Sequence, residues 1–254
     1  MNTIALVCIT SYKNYLVNYA SYYLDSLKFD HIIFIDSLNE SLRNMFINFE
    51  NITILNFKDL NIDVNNYNSF NKLIVDVYNI IIDKFLNEYD YLAFFDDDEY
   101  LEIKNKDLTS IHDYLNCFDF SNYSCIKVKW SVYKDDRIDG DPIFNTNFCR
   151  LIDSFETTDK IFKTIVNCKN KNNEIPYFYG DAHNNSTSYY CDSNCCDLYD
   201  PLLINCYNQI LVLNHFMYTP LIDYIKRRIV NRFECLNNDF GCTSKQIIND
   251  WFNR

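Results

Sequence analysis

Four carboxylates stand in a row at Asp96-Asp97-Asp98-Glu99, directly after the apolar run Tyr91-Leu92-Ala93-Phe94-Phe95 and before Tyr100-Leu101. Adjacent carboxylates repel one another and lose hydration badly at the mouth of a buried strand, so a cation is expected to join them. If the strand continues through the run, alternate residues share a face. Asp96 and Asp98 then point the same way, and Asp97 points opposite. Two converging hard oxygen ligands suit Mn²⁺ or Mg²⁺. The alternative is a solvated acidic turn with no ligand. The apolar strand before the run and the aromatic-leucine pair after it favour the metal reading.

Other residues narrow the chemistry. Only three glycines occur, Gly140, Gly180 and Gly241. A glycine-rich dinucleotide loop or a P-loop needs several close together, so neither is present. Any nucleotide phosphate must therefore be held by a metal. The net charge of −12 argues against a nucleic-acid partner, which would demand a basic footprint. The eleven cysteines are scattered apart from Cys191, Cys195 and Cys196. That cluster lacks the spacing of a zinc ribbon, and the odd total fits no secreted disulfide framework. The N-terminus shows no basic leader, and no apolar stretch reaches the ~18 residues of a membrane span. A cytoplasmic location is the expectation, with no transmembrane segment.

The elements that position the acidic run read as alternating strands and helices. Ile4–Ile9, Ile32–Ile35 and Tyr91–Phe95 are short continuous apolar runs, the mark of strands buried on both faces, and Ile52–Leu55 reads as a further strand. Tyr15–Phe29, Ser41–Phe49 and Phe70–Leu86 carry apolar residues at helical spacing between them. Such repetition predicts right-handed crossovers and a mostly parallel central sheet flanked by helices, an α/β fold. Ligands of such sheets gather at the carboxyl ends of the strands. Thr10-Ser11, Asp36-Ser37 and the acidic run all fall there. Further on, Cys125–Trp130, Phe162–Val166 and Ile210–Leu213 read as strands, Lys134–Pro142 as an Asp-rich loop, and Leu221–Cys235 as an amphipathic helix with a basic face. One domain over residues 1–254 is expected, with a nucleotide-binding half to about residue 104 and an acceptor half beyond it.

The acidic run resembles the D-x-D-E-F motif of glycosyltransferases related to family 2 and family 92, whose fold is the GT-A (Rossmann-like) domain. Other pieces resemble family segments in the same order. They are Lys13-Asn14, the passage Leu24–Asp36, Trp130 after a strand, Phe162-Lys163-Thr164-Ile165-Val166, Asp181-Ala182-His183, and Leu213-Asn214-His215-Phe216-Met217-Tyr218 followed by Tyr224-Ile225-Lys226-Arg227-Arg228. The ordered set spans about residues 4–233. The departures are Tyr15 for a glutamate, a blurred Ser37-Leu38-Asn39-Glu40, Val132-Tyr133 after the tryptophan, and Thr219-Pro220 after the histidine segment. They bear on the donor sugar and acceptor more than on the fold.

The resemblance implies a sugar transferred from a nucleotide-diphosphate donor, expected to be a UDP-sugar, to a hydroxyl of a glycan or glycoconjugate, with inversion. It implies that Asp98 and the donor diphosphate share Mn²⁺ or Mg²⁺, that Asp96 reaches the ribose or a metal-bound water, and that His215 completes the metal site. Thr10, Lys13 and Asp36 would line the base and ribose end, and Lys163, Lys226 and Arg227 would neutralise the leaving diphosphate. Asp181 is the first choice of base, with Asp136 and Asp141 in competition. Two other readings stay open: a non-catalytic sugar-binding protein on the same fold, and a metal-dependent nucleotidyltransferase or phosphohydrolase.

Overall fold

The structure, a computed structural model, describes residues 2–10, 14–37, 42–153, 162–187, 189–196, 209–224 and 252. It is an α/β fold built on a large, curled mixed sheet. The first strands are β1 (Ile4–Thr10), β2 (His31–Asp36), β3 (Ile52–Asn56) and β4 (Tyr91–Phe94), parallel and in the order β3-β2-β1-β4. In β1, β2 and β4 the unbroken apolar runs have a direct cause, because both faces are covered, whereas β3 at the sheet edge is half-buried along its length. Ile4, Leu6, Cys8, Ile32, Phe34 and Ala93 enter one core, while Ala5, Val7, Ile33, Ile35, Leu92 and Phe94 enter the other.

The second core is closed by α3 (Phe70–Phe85) through Leu73, Val77, Tyr78, Ile81 and Phe85. The first is covered by α1 (Leu16–Ser21) and by α4 (Ile111–Cys117), whose Ser110 cap accepts from Asp113 N at 3.1 Å. The short α2 (Leu42–Met45) lies between β2 and β3 in sequence. The helix expected over Tyr15–Phe29 is α1 followed by a π-helical turn, Tyr22–Ser26, closed by Leu27 N donating to Tyr22 O at 3.1 Å. Such turns re-aim side chains within a helix. Here Tyr19, Tyr22 and Tyr23 all reach backbone carbonyls of residues 96–101.

The later strands are β5 (Glu99–Ile103), β6 (Cys125–Lys134), β7 (Arg150–Asp153), β8 (Phe162–Asn167), β9 (Phe178–Tyr179), β10 (Asp181–Asn185), β11 (Tyr190–Cys191) and β12 (Leu211–Tyr218). The sheet runs on as β4-β8-β6-β12-β5, with β7 and β11 also paired to β6, and β9-β10 form a separate ribbon. β8 is antiparallel to β4 and β6, and β12 is parallel to β6 but antiparallel to β5. The expectation of a mostly parallel sheet therefore holds for the first four strands and fails beyond them. A parallel neighbour needs a long crossover, usually helical. After β4 the described residues supply only α4 and the single turn Leu221–Tyr224.

The long β6 serves two neighbours. Cys125–Lys129 pair with β8, and Trp130, Ser131, Val132 and Lys134 pair with β12. This curl carries β12 back to the end of β4. No helix among the described residues is long and apolar enough to cross a membrane.

Candidate functional site

The acidic run is a turn and not a continuation of β4. Glu99 N donates to Asp96 O at 3.1 Å, and Glu99 Oε2 accepts from Asp96 N at 2.8 Å. The turn is braced from α1 and its π-helical extension. Tyr19 OH donates to Asp96 O at 2.9 Å, Tyr23 OH to Glu99 O at 2.8 Å and Tyr22 OH to Leu101 O at 2.6 Å. Burial pushes the Tyr19 and Tyr23 hydroxyls well above their usual pKa, so they stay donors. Sequence reasoning missed this brace. Its signal was three tyrosines spaced i, i+3, i+4 on one helix face.

Within the turn the side chains part. Thr10 Oγ1, at the end of β1, donates to Asp97 Oδ2, and Tyr15 OH donates to Asp97 Oδ1 at 3.3 Å. Asp96 Oδ2 accepts from Lys163 Nζ at 2.8 Å, and Asp98 Oδ2 lies 3.5 Å from His215 Nε2. Lys163 and His215 flank one indole, with Nζ 5.7 Å from the Trp130 ring and the imidazole centroid 4.2 Å from it. Asp96 and Asp98 thus both turn to the Trp130 side and Asp97 turns to α1. That is the division strand alternation anticipated, reached through a turn.

Charge in the site is partly settled by Lys163, whose side chain is 2% exposed and also lies 3.5 Å from Glu99 Oε1. Burial alone would lower its pKa, but Asp96 and Glu99 outweigh that and push it above the ordinary value, so the ammonium stays charged. Desolvation pushes Asp96 up, and Lys163 more than offsets it, leaving Asp96 below the usual carboxylate range. Glu99 is fully buried, and that burial drives its pKa well above normal, with Lys163 opposing and Asp96 and Asp98 reinforcing. Lys163, expected beside a diphosphate, is therefore already the counter-ion of the turn.

The Asp98–His215 contact follows from sheet pairing. β5 and β12 place His215 opposite Glu99, and Phe216 N donates to Asp98 O at 2.9 Å. Both side chains are 7% exposed, and His215 Nδ1 is buried with no hydrogen-bond partner. Among the described residues no three His, Cys, Asp or Glu side chains are grouped to hold a metal ion. One carboxylate oxygen and one imidazole nitrogen still fit the protein's share of a Mn²⁺ or Mg²⁺ site, because such ions bind by one or two protein ligands plus substrate phosphates and water.

The remaining expected residues spread around this centre. Thr10 and Asp36 are buried register partners at the adjacent ends of β1 and β2. Lys13, Lys226 and Arg227 lie outside the described residues. Asp181 opens β10, where Oδ1 accepts from His183 N at 2.8 Å and Asn184 Nδ2 at 3.1 Å. His183 also packs on Trp130, with ring centroids 5.3 Å apart, and its Nδ1 donates to Phe162 O at 3.0 Å. Burial, with help from Lys163, lowers its pKa to about 4, so it is neutral at pH 7. Asp136 is tied to Arg150 at 3.0 Å and Lys134 at 3.5 Å, and the Arg150 hydrogen bond holds it below the usual range. Asp141 is exposed in the following loop.

No protein-family model and no curated protein matches the chain.

Proposed function

We propose that the chain is a metal-dependent, inverting glycosyltransferase of GT-A type, taking a sugar from a nucleotide-diphosphate donor, a UDP-sugar, to a glycan or glycoconjugate hydroxyl. The observation that carries this reading is the meeting of Asp98 and His215 at 3.5 Å, at the carboxyl end of β4. The strand order β3-β2-β1-β4 supports it, being that of a doubly wound nucleotide-binding half, with ligands expected beyond the carboxyl ends of the strands. Thr10 and Asp36 stand at two further ends of that set.

In this reading Asp98 and His215 hold Mn²⁺ or Mg²⁺. When bound there, such an ion would supply Lewis-acid withdrawal of charge from a departing diphosphate, worth several kcal/mol. Asp96 faces the donor ribose, and Lys163 holds that carboxylate ionised and in place. Thr10 and Asp36 bound the nucleoside end. The anomeric carbon loses its bond to the diphosphate and gains one to the acceptor oxygen. Asp181 takes the hydroxyl proton, a contribution of ~10²–10⁴-fold.

A second reading is favoured by the Lys163 ion pairs, which neutralise part of the acidic turn without a metal. In it the chain keeps the fold without catalysis. Thermal shift with UDP, with and without MnCl₂, followed by release of UDP from UDP-sugars, separates the two. A stabilisation that needs both UDP and Mn²⁺, together with turnover, supports the enzyme. Binding without turnover on any common donor favours the second reading. No UDP binding, with or without Mn²⁺, overturns the enzyme and agrees with the second reading.

A further inference from the structure

Behind the β5–β12 pair, on the face turned away from His215, lies a cleft of about 500 Å³. That volume falls within the ~300–1,000 Å³ of small-molecule sites. The period-2 alternation of strands makes the two faces chemically distinct. On β12, His215 faces Asp98, while its neighbours Asn214 and Phe216 line the cleft. On β5, Glu99 faces Lys163, while Tyr100 and Glu102 line the cleft.

One wall is aromatic. Tyr100 and Phe144 stack at 5.3 Å and 22°, and Phe216 meets Phe144 at 5.7 Å and 74°. The rest mixes amides, hydroxyls and one carboxylate with the apolar Pro142 and Ile143. Asn214 is 6% exposed, its Nδ2 donates to Glu102 Oε2 at 2.9 Å, and its Oδ1 is buried without a hydrogen-bond partner. A buried amide oxygen left unpaired costs ~1–3 kcal/mol, so this position calls for a donor from a ligand or water.

We propose that this cleft binds a neutral, hydroxyl-rich sugar ring, set against Tyr100, Phe144 and Phe216 and hydrogen-bonded through Asn214 and Glu102. Charge disfavours an anion: among the described residues no Lys or Arg lines the cleft, while Glu102 does, and the one ammonium beside it, Lys104 Nζ at 2.9 Å, is paired with that carboxylate. An aromatic wall beside a carboxylate also suits a quaternary ammonium. The quaternary head of such a cation has no N–H to give Asn214 Oδ1, whereas a sugar hydroxyl donates and accepts at once. The site adjoins the acidic turn, because Tyr15 lines the cleft and also donates to Asp97. It stands whether or not Asp98 holds a metal.

The test is saturation-transfer NMR with cellobiose, lactose, maltose, chitobiose and choline chloride as separate probes. At least one disaccharide is expected to receive saturation, with affinity lowered roughly tenfold by Phe144→Ala and by Asn214→Leu. Phe144 sits half-buried on a loop, so its variant decides the matter even if Asn214→Leu fails to fold. UDP–Mn²⁺ thermal shifts should be unchanged in Phe144→Ala, which separates this cleft from the metal site. Saturation of no disaccharide, saturation of choline alone, or disaccharide binding untouched by Phe144→Ala overturns the proposal.

Discussion

Asp98 and His215 come from distant parts of the chain, and the backbone beside them is joined. Phe216 N donates to Asp98 O at 2.9 Å, and the carboxylate oxygen and imidazole nitrogen next to that bond lie 3.5 Å apart. The pair is therefore held by sheet pairing and not by the reach of flexible side chains. That rigidity is what a metal site needs from its protein ligands.

Replacing either member should remove metal-dependent nucleotide binding. In Asp98→Ala and His215→Ala the thermal upshift from UDP with MnCl₂ should vanish, since a ligand stabilises only what it binds. Turnover should fall by at least ~10³-fold if several kcal/mol of Lewis-acid help are lost. Far-UV circular dichroism should be unchanged. Mn²⁺-dependent UDP binding that persists in Asp98→Ala would sink the site assignment.

Lys163→Met should destabilise the fold by roughly 1–3 kcal/mol, because it takes the ammonium partner from the buried Glu99 carboxyl and from Asp96. The fully buried Glu99 makes this larger than any surface ion pair would give. Urea unfolding at pH 7 measures it. A loss below ~1 kcal/mol would mean that Lys163 is not the counter-ion of the turn.

His183 predicts a specific acid sensitivity. Its pKa is about 4 in the fold against an ordinary 6.5, so the unfolded chain takes up the proton first. The stabilisation is fully present above about pH 6.5 and is lost as the pH falls toward 4. Stability curves from pH 7 to pH 4 should be shallower in His183→Gln than in the wild type. Parallel curves would show that this imidazole is not held neutral.

Asp181→Asn should lower kcat by ~10²–10⁴-fold and leave UDP–Mn²⁺ binding intact, the pattern of a lost base. Asp136→Asn should change kcat little, because Asp136 is committed to Arg150 and Lys134. Stopped assays with a UDP-sugar and its acceptor compare the two. A larger loss in Asp136→Asn would transfer the role.

Some of this was written in the residues themselves. Unbroken apolar runs such as Ile4–Ile9 and Ile32–Ile35 announce strands covered on both faces, and the heptad-like face of Phe70–Phe85 announces its helix, because burial imposes period and composition locally. The acidic run after β4 was equally plain as a cluster needing a cation. Two other features left no local signature. Glu99–Ile103, which begins inside that run, showed no separate strand signal, and its antiparallel place beside β12 is a long-range choice that no window of sequence contains. Whether the cation at Asp96 is a metal or Lys163 depended on β8 lying antiparallel to β4, which carries the ammonium to the turn. The sequence alone determined which residues are apolar, which are charged and in what order they occur. The curl of β6, and with it the meeting of Asp98 with His215 and the cleft behind them, was decided only when distant strands paired, since hydrogen-bond register and sheet curvature are properties of the assembled sheet.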